Sequence, residues 1–191
     1  MESEKQQIEE NIEEPLDNFQ IKEILPYARI MTNKELNNIN HIDELFDKSK
    51  FCDFIILLFL DGPNKGHWVS LSRYGPIENP IECFVEFFDS YGGNVKKVYS
   101  YCPMEIRKQL GTEKDKLNDL LKKCDYNVIY NPIKYQLPKK DVNTCGRHCA
   151  YRIKQLVENG RDLPEYYDLM NYLKKKENMD YDEIVAKNID V

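Results

Sequence analysis

The firmest constraint on how this chain folds is the run over residues 53–60, Asp-Phe-Ile-Ile-Leu-Leu-Phe-Leu, in which apolar residues follow one another without alternation. A strand with one wet face alternates apolar and polar residues. A continuous apolar run of this length, closed by Asp61-Gly62-Pro63, reads instead as a strand covered on both faces. Two more strands follow, around His67 and from Cys83 to Phe88, separated by Gly75-Pro76. In the first of them His67, Val69 and Leu71 alternate with Trp68, Ser70 and Ser72, and residues 126–130 form a further strand. Covering both faces of such a sheet requires helices on each side. The 3.6-residue pattern supplies them at 94–110, interrupted by Pro103, and at 114–124, 145–159, 163–175 and 181–187, with short helical pieces at 21–25, 33–39 and 42–48. The expected fold class is α+β: a central mixed sheet flanked by helices.

With 191 residues the chain suits one domain with a substantial core. Its first 16 residues hold six acids and one lysine, and are expected to be a flexible acidic amino-terminal arm before a single domain over residues 17–191. Residues 177–191 are also acidic, with five acids and one lysine, so the middle of the chain is net basic. The lysines and arginines there, from Lys96 to Lys123, are interleaved with Glu105, Glu113, Asp115 and Asp119, the pattern of a solvated helical face. The longest apolar run is strand-sized, so no membrane association is expected, and the polar, acidic start carries no secretory signal. Six cysteines without such a signal are expected to be free thiols. They lack paired C-x-x-C spacing, and the Cys145, His148, Cys149 cluster has no matching partners elsewhere, so no metal site and no cofactor is expected.

The chemistry gathers at Asn143-Thr144-Cys145-Gly146-Arg147-His148-Cys149. Cys149, Ile153, Leu156 and Val157 recur at helical spacing behind Cys145, Asn143 or Thr144 can cap the helix start, and Gly160 can end it. Cys145 therefore stands in the first turn of a buried central helix, where unpaired amides and the helix dipole favour thiolate over thiol. Three histidines are available as its base: His41, His67 and His148. His148 lies three residues from Cys145 on the same helix, too constrained to serve thiol and leaving group, and is expected on the helix surface. His67 has a strand to hold it. Asp89, where the next strand ends, can orient its ring, which completes a nucleophile, base and orienter in the order His, Asp, Cys. Cys52, Cys83, Cys102, Cys124 and Cys149 are expected to be inert, Cys149 in the core one turn beyond the nucleophile.

This order excludes the papain-like arrangement, in which cysteine comes first. The chain resembles the group that contains the SUMO proteases and adenain, the adenovirus endopeptidase. The likeness rests on Gly66-His67-Trp68, then Phe88-Asp89-Ser90-Tyr91-Gly92, then Tyr135-Gln136, then Thr144-Cys145-Gly146, and spans residues 51–160. The resemblance implies that His67 is the base, Asp89 its orienter and Cys145 the nucleophile. It also implies that Gln136 donates to the oxyanion and Trp68 lines the substrate groove. Eight residues separate Gln136 from Cys145, a longer connection than in the family, and Asn143 is the rival donor. Residue 144 is Thr where SUMO proteases typically carry Asp, which turns the likeness toward the viral members.

What the resemblance implies for function is a cysteine endopeptidase that processes viral capsid precursors at glycine-containing sites during virion maturation, in the virion and in the host cytoplasm or viral factory. The alternative is an isopeptidase acting on SUMO or ubiquitin conjugates, and behind it an inactive binding module. Its partners are then protein substrates: viral precursor polypeptides or ubiquitin-like conjugates. Because adenain uses DNA, nucleic acid is a further partner class, although no aromatic-plus-basic motif supports it.

Overall fold

The structure is a computed structural model, and it describes residues 2–76 and 78–191. In chain order the elements are α1 (Glu2–Glu13), α2 (Asn18–Ile24), β1 (Arg29–Thr32), β2 (Cys52–Gly62), β3 (Lys65–Tyr74), β4 (Phe84–Phe88), α3 (Val95–Tyr99), α4 (Met104–Leu110), α5 (Lys116–Lys122), β5 (Asn127–Tyr130), α6 (Cys145–Asn159), α7 (Leu163–Glu177) and α8 (Tyr181–Asn188). Among the described residues the strands make one mixed sheet in the order β1-β2-β3-β4-β5, with β1 parallel to β2, β5 parallel to β4, and antiparallel pairing between them. The fold is α+β.

The apolar run in β2 has the two covered faces that its lack of alternation requires. Ile55, Leu57 and Phe59 join Val69, Leu71, Val85 and Phe87 in one core with Val98, Tyr99, Leu117 and Leu120 of α3 and α5. Ile56 faces the other way, into a core with Trp68, Phe88, Ile21 of α2, Cys149 and Ile153 of α6, Met170 of α7 and Val185 of α8. One face thus carries small helices, and the other carries the long central helix α6. Pro103 does divide the segment after β4, as α3 and α4.

Three expectations are corrected. Residues 33–39 and 42–48 hold only short 3-10 turns, Glu35–Asn38 and Ile42–Leu45, although Ile42, Leu45 and Phe46 are buried as their spacing requires. Strand β1 was not expected. Its four residues carry no pattern of their own, and pairing with β2 defines it. The acidic amino-terminal stretch, expected as a flexible arm, is helical as α1: Ile8 and Asn11 are buried, and the Asn11 amide donates to the Ala186 carbonyl in α8 at 3.0 Å.

Candidate active site

Strand β3 carries His67 at its first turns, opposite Phe59 of β2 and before the pairing with β4 begins at Ser70. The backbone there is drawn tight. A Cβ on Gly66 would stand 2.0 Å from the Phe59 carbonyl oxygen, so residue 66 has to be glycine for β3 to keep this register. Asp89 follows the end of β4 and is fully buried. His67 Nε2 lies 2.7 Å from Asp89 Oδ1, which leaves Nδ1 as the ring nitrogen that can serve a thiol.

Asp89 is itself held on both oxygens. Oδ1 also accepts the Tyr91 N–H at 2.9 Å, and Oδ2 accepts the Tyr101 hydroxyl at 3.0 Å. Both tyrosines touch the imidazole: Tyr91 stacks on it at 4.8 Å between ring centres, and Tyr101 meets it edge-on at 5.6 Å. The Asn131 side chain donates to the Asp89 carbonyl at 2.8 Å and fixes the backbone. Each hydrogen bond removes a freedom that the His67–Asp89 contact would otherwise have to restrain alone.

Cys145 opens α6 beside this pair, with 8% of its surface exposed. Thiol and ring shift one another. Burial disfavours the imidazolium, but the hydrogen bond to Asp89, followed by the hydrogen bond and charge of Cys145, more than offsets it and raises the His67 pKa to about 10. Burial likewise disfavours the thiolate, and His67, then the backbone N–H groups of Trp68 and Gly146, outweigh it and bring Cys145 below the usual thiol range. Cys149 is the contrast on the same helix: burial holds it well above that range. The arrangement favours a thiolate–imidazolium pair over a neutral one.

The start of α6 carries no side-chain cap. Asn143 and Thr144, the expected caps, bond elsewhere: Asn143 Nδ2 donates to the Glu13 carbonyl at 2.7 Å, and Thr144 Oγ1 donates to Asp182 Oδ1 of α8. The first amides of the helix are left to the thiolate and to whatever binds beside it. Gln136 is buried nearby in chain. Its Oε1 accepts the Ser90 hydroxyl at 2.7 Å and its Nε2 donates to the Val142 carbonyl at 3.0 Å, so one N–H of the amide remains for another acceptor. The Ser90 carbonyl accepts the N–H groups of Tyr135 and Gln136 at 2.8 and 3.0 Å, tying the Gln136 loop to the residue after Asp89.

His148 is fully buried, not on the helix surface. Its Nε2 lies 3.0 Å from Asp182 Oδ1, because α8 covers the side of α6 that a single-helix pattern leaves open. Asp182 also accepts the Leu137 N–H at 2.9 Å. It therefore locks the loop that carries Gln136, the residue before Cys145, and the second turn of α6 to one point. Trp68 lines a groove of about 460 Å³ together with Pro15, Leu16, Ile30, Leu58, Lys65 and Gly66.

Compared with models of protein families, the chain matches none. An uncharacterized protein of Sputnik virophage, V9, is 34% identical over 139 residues, which cover 72% of this chain and 74% of V9. The chain belongs to the V9 family. Its relative is thus viral. In this member of the V9 family the structure brings His67, Asp89 and Cys145 together and sets Trp68, the residue after His67, along a groove. The residues that sequence reading passed over as site residues are Ser90, Tyr91, Tyr101, Asn131 and Asp182. Ser90 and Tyr91 lie inside a quoted motif, where no role attaches to them. Tyr101, Asn131 and Asp182 sit in segments whose approach to Asp89 or Cys145 no local pattern encodes. No helix among the described residues is long and apolar enough to cross a membrane.

Proposed function

We propose that this V9-family protein is a cysteine endopeptidase. The observation that carries the reading is one imidazole held at 2.7 Å by a buried carboxylate, with the helix-start thiol of Cys145 near enough that thiol and ring shift one another's titration. In the reaction the Cys145 thiolate attacks a peptide carbonyl, and the oxyanion receives hydrogen bonds from the Cys145 N–H and from the Gln136 amide. His67 then gives its proton to the leaving amine, and a water that His67 deprotonates releases the acyl group as a carboxylate. Asp89 holds the ring through both cycles. The resemblance to the SUMO-protease and adenain group implies glycine at the cleavage point, with Trp68 walling the substrate groove.

The virophage relative supports a viral setting, and with it capsid precursors as the substrate class ahead of ubiquitin-like conjugates. The test is hydrolysis of precursor polypeptides with glycine-containing junctions, run against SUMO and ubiquitin fusions. Cys145→Ala is expected to lower kcat by roughly a thousandfold or more. A Cys145→Ala protein that cleaves as fast as wild type removes the proposal. Cleavage of the modifier fusions alone moves it to an isopeptidase.

A further inference from the structure

The segment that ends α1 and leads to α2 is bound through its own backbone carbonyls, and the donors come from residues beside the nucleophile. The Asn143 N–H donates to the Ile12 carbonyl at 2.8 Å, and Asn143 Nδ2 to the Glu13 carbonyl at 2.7 Å. Arg147 donates to the Glu14 carbonyl, and at 3.1 Å to Asn11 Oδ1. Trp68 Nε1 donates to the Leu16 carbonyl at 2.9 Å. An extended peptide lying beside Cys145 would meet these same donors. The Leu16 side chain is buried in one cluster with Trp68 and Cys145, and a Cβ on Gly146 would stand 3.1 Å from Leu16 Cβ and 3.2 Å from Trp68 Cδ1. Leu16 thus packs directly on the residue after the nucleophile.

The hold is thin. Of residues 3–16 only Ile8, Asn11 and Leu16 are buried. Residues 3–16, with five acids to one lysine, lie against an acidic carboxy-terminal segment, relieved by Lys187, which reaches Glu4 at 3.5 Å and Glu177 at 3.1 Å, and by Arg147, whose charge acts on Glu14 and Asp190. Like charges facing each other oppose the contact, and salt screens that opposition.

We propose that residues 11–16 are an autoinhibitory strap: bound, they cover the approach to Cys145, and withdrawn, they yield their hydrogen-bond donors and the Trp68 groove to an extended polypeptide substrate. The proposal rests on the peptidase reading, and its test separates the two. In the full chain, Leu16→Asp and Ile8→Asp are compared with wild type for iodoacetamide alkylation at Cys145, mapped by mass spectrometry, and for hydrolysis of a glycine-containing peptide. Both variants are expected to alkylate at least about fivefold faster and to gain kcat/KM.

Ile8 lies in α1, outside the cluster that holds Leu16, Trp68 and Cys145, so Ile8→Asp serves where Leu16→Asp does not fold. Unchanged or slower alkylation in a folded variant overturns the strap. Faster alkylation with no hydrolysis of any peptide keeps the strap and removes the peptidase. Hydrolysis with unchanged alkylation does the reverse.

Discussion

Asp89 holds the His67 ring through Oδ1, while the Tyr91 N–H on that oxygen and the Tyr101 hydroxyl on Oδ2 hold the carboxylate itself. The strength of that grip is legible in His67, whose pKa of about 10 exceeds the ordinary imidazole value despite burial. Cys145 moves the opposite way. Alkylation of Cys145 is therefore expected to rise with pH below the ordinary thiol range and to stay on a plateau until His67 loses its proton near pH 10. Asp89→Asn removes the leading favourable interaction on the imidazolium and is expected to bring the alkaline limb down; a pH–rate profile that does not move would deny Asp89 this role. Gln136→Ala is expected to cost about a hundredfold in kcat with KM little changed, the signature of a donor used in the transition state. Equal losses in both parameters would make Gln136 a loop anchor through Ser90 and Val142. At this scale the sequence was informative where residue type is scarce: few histidines and one cysteine at a helix start narrow the choice. It was silent on Tyr101, a common residue with nothing around it to mark its reach back to Asp89.

Two elements meet at the site, and each depends on a glycine for close approach. Gly66 lets β3 lie against the Phe59 carbonyl of β2, and Gly146 lets α6 lie against Trp68 and Leu16. Gly66→Ala cannot be absorbed by a flexible side chain, because the atom it meets is backbone. It is expected to destabilise by about 1–3 kcal/mol, read by urea unfolding, and to lower activity by displacing His67. Activity retained with stability lost would show that the ring position does not depend on this register. Helix α6 was readable from its apolar spacing and its Gly160 end, where φ is +65°. So was its start at Cys145; what was not readable is whether a side chain caps it, because a potential cap is defined only by what else its side chain can reach. Asn143 and Thr144 reach α1 and α8, and that choice leaves the amides beside Cys145 open.

Across the molecule, the sheet and α6 are joined by a buried ion pair. Arg152 donates from Nε and Nη2 to the two oxygens of Glu86, each at 2.7 Å, and Tyr74 adds a hydroxyl at 3.1 Å. Breaking such a pair from one side leaves an unpaired buried charge, so Glu86→Ala is expected to cost about 3–5 kcal/mol in chemical unfolding. A change within about 0.5 kcal/mol would mean that water reaches Arg152. The His67–Asp89 pair also links stability to pH. The folded pKa of His67 lies above the unfolded value near 6.5, so its contribution is complete below that pH and is lost as pH climbs through about 10.

By itself the sequence determined the parts whose cause is local: the doubly covered strand from its unbroken apolar run, the helices from their period, the break at Pro103, and the candidate thiol, base and carboxylate from their positions at element ends. Tertiary structure alone decided what those parts touch. It placed His148 under Asp182 rather than at the surface, made a helix of the acidic start by laying it on α8, and paired β1 with β2. The reason is physical: periodicity reports which side of an element is apolar, whereas burial of a polar group depends on a partner that arrives from a distant part of the chain.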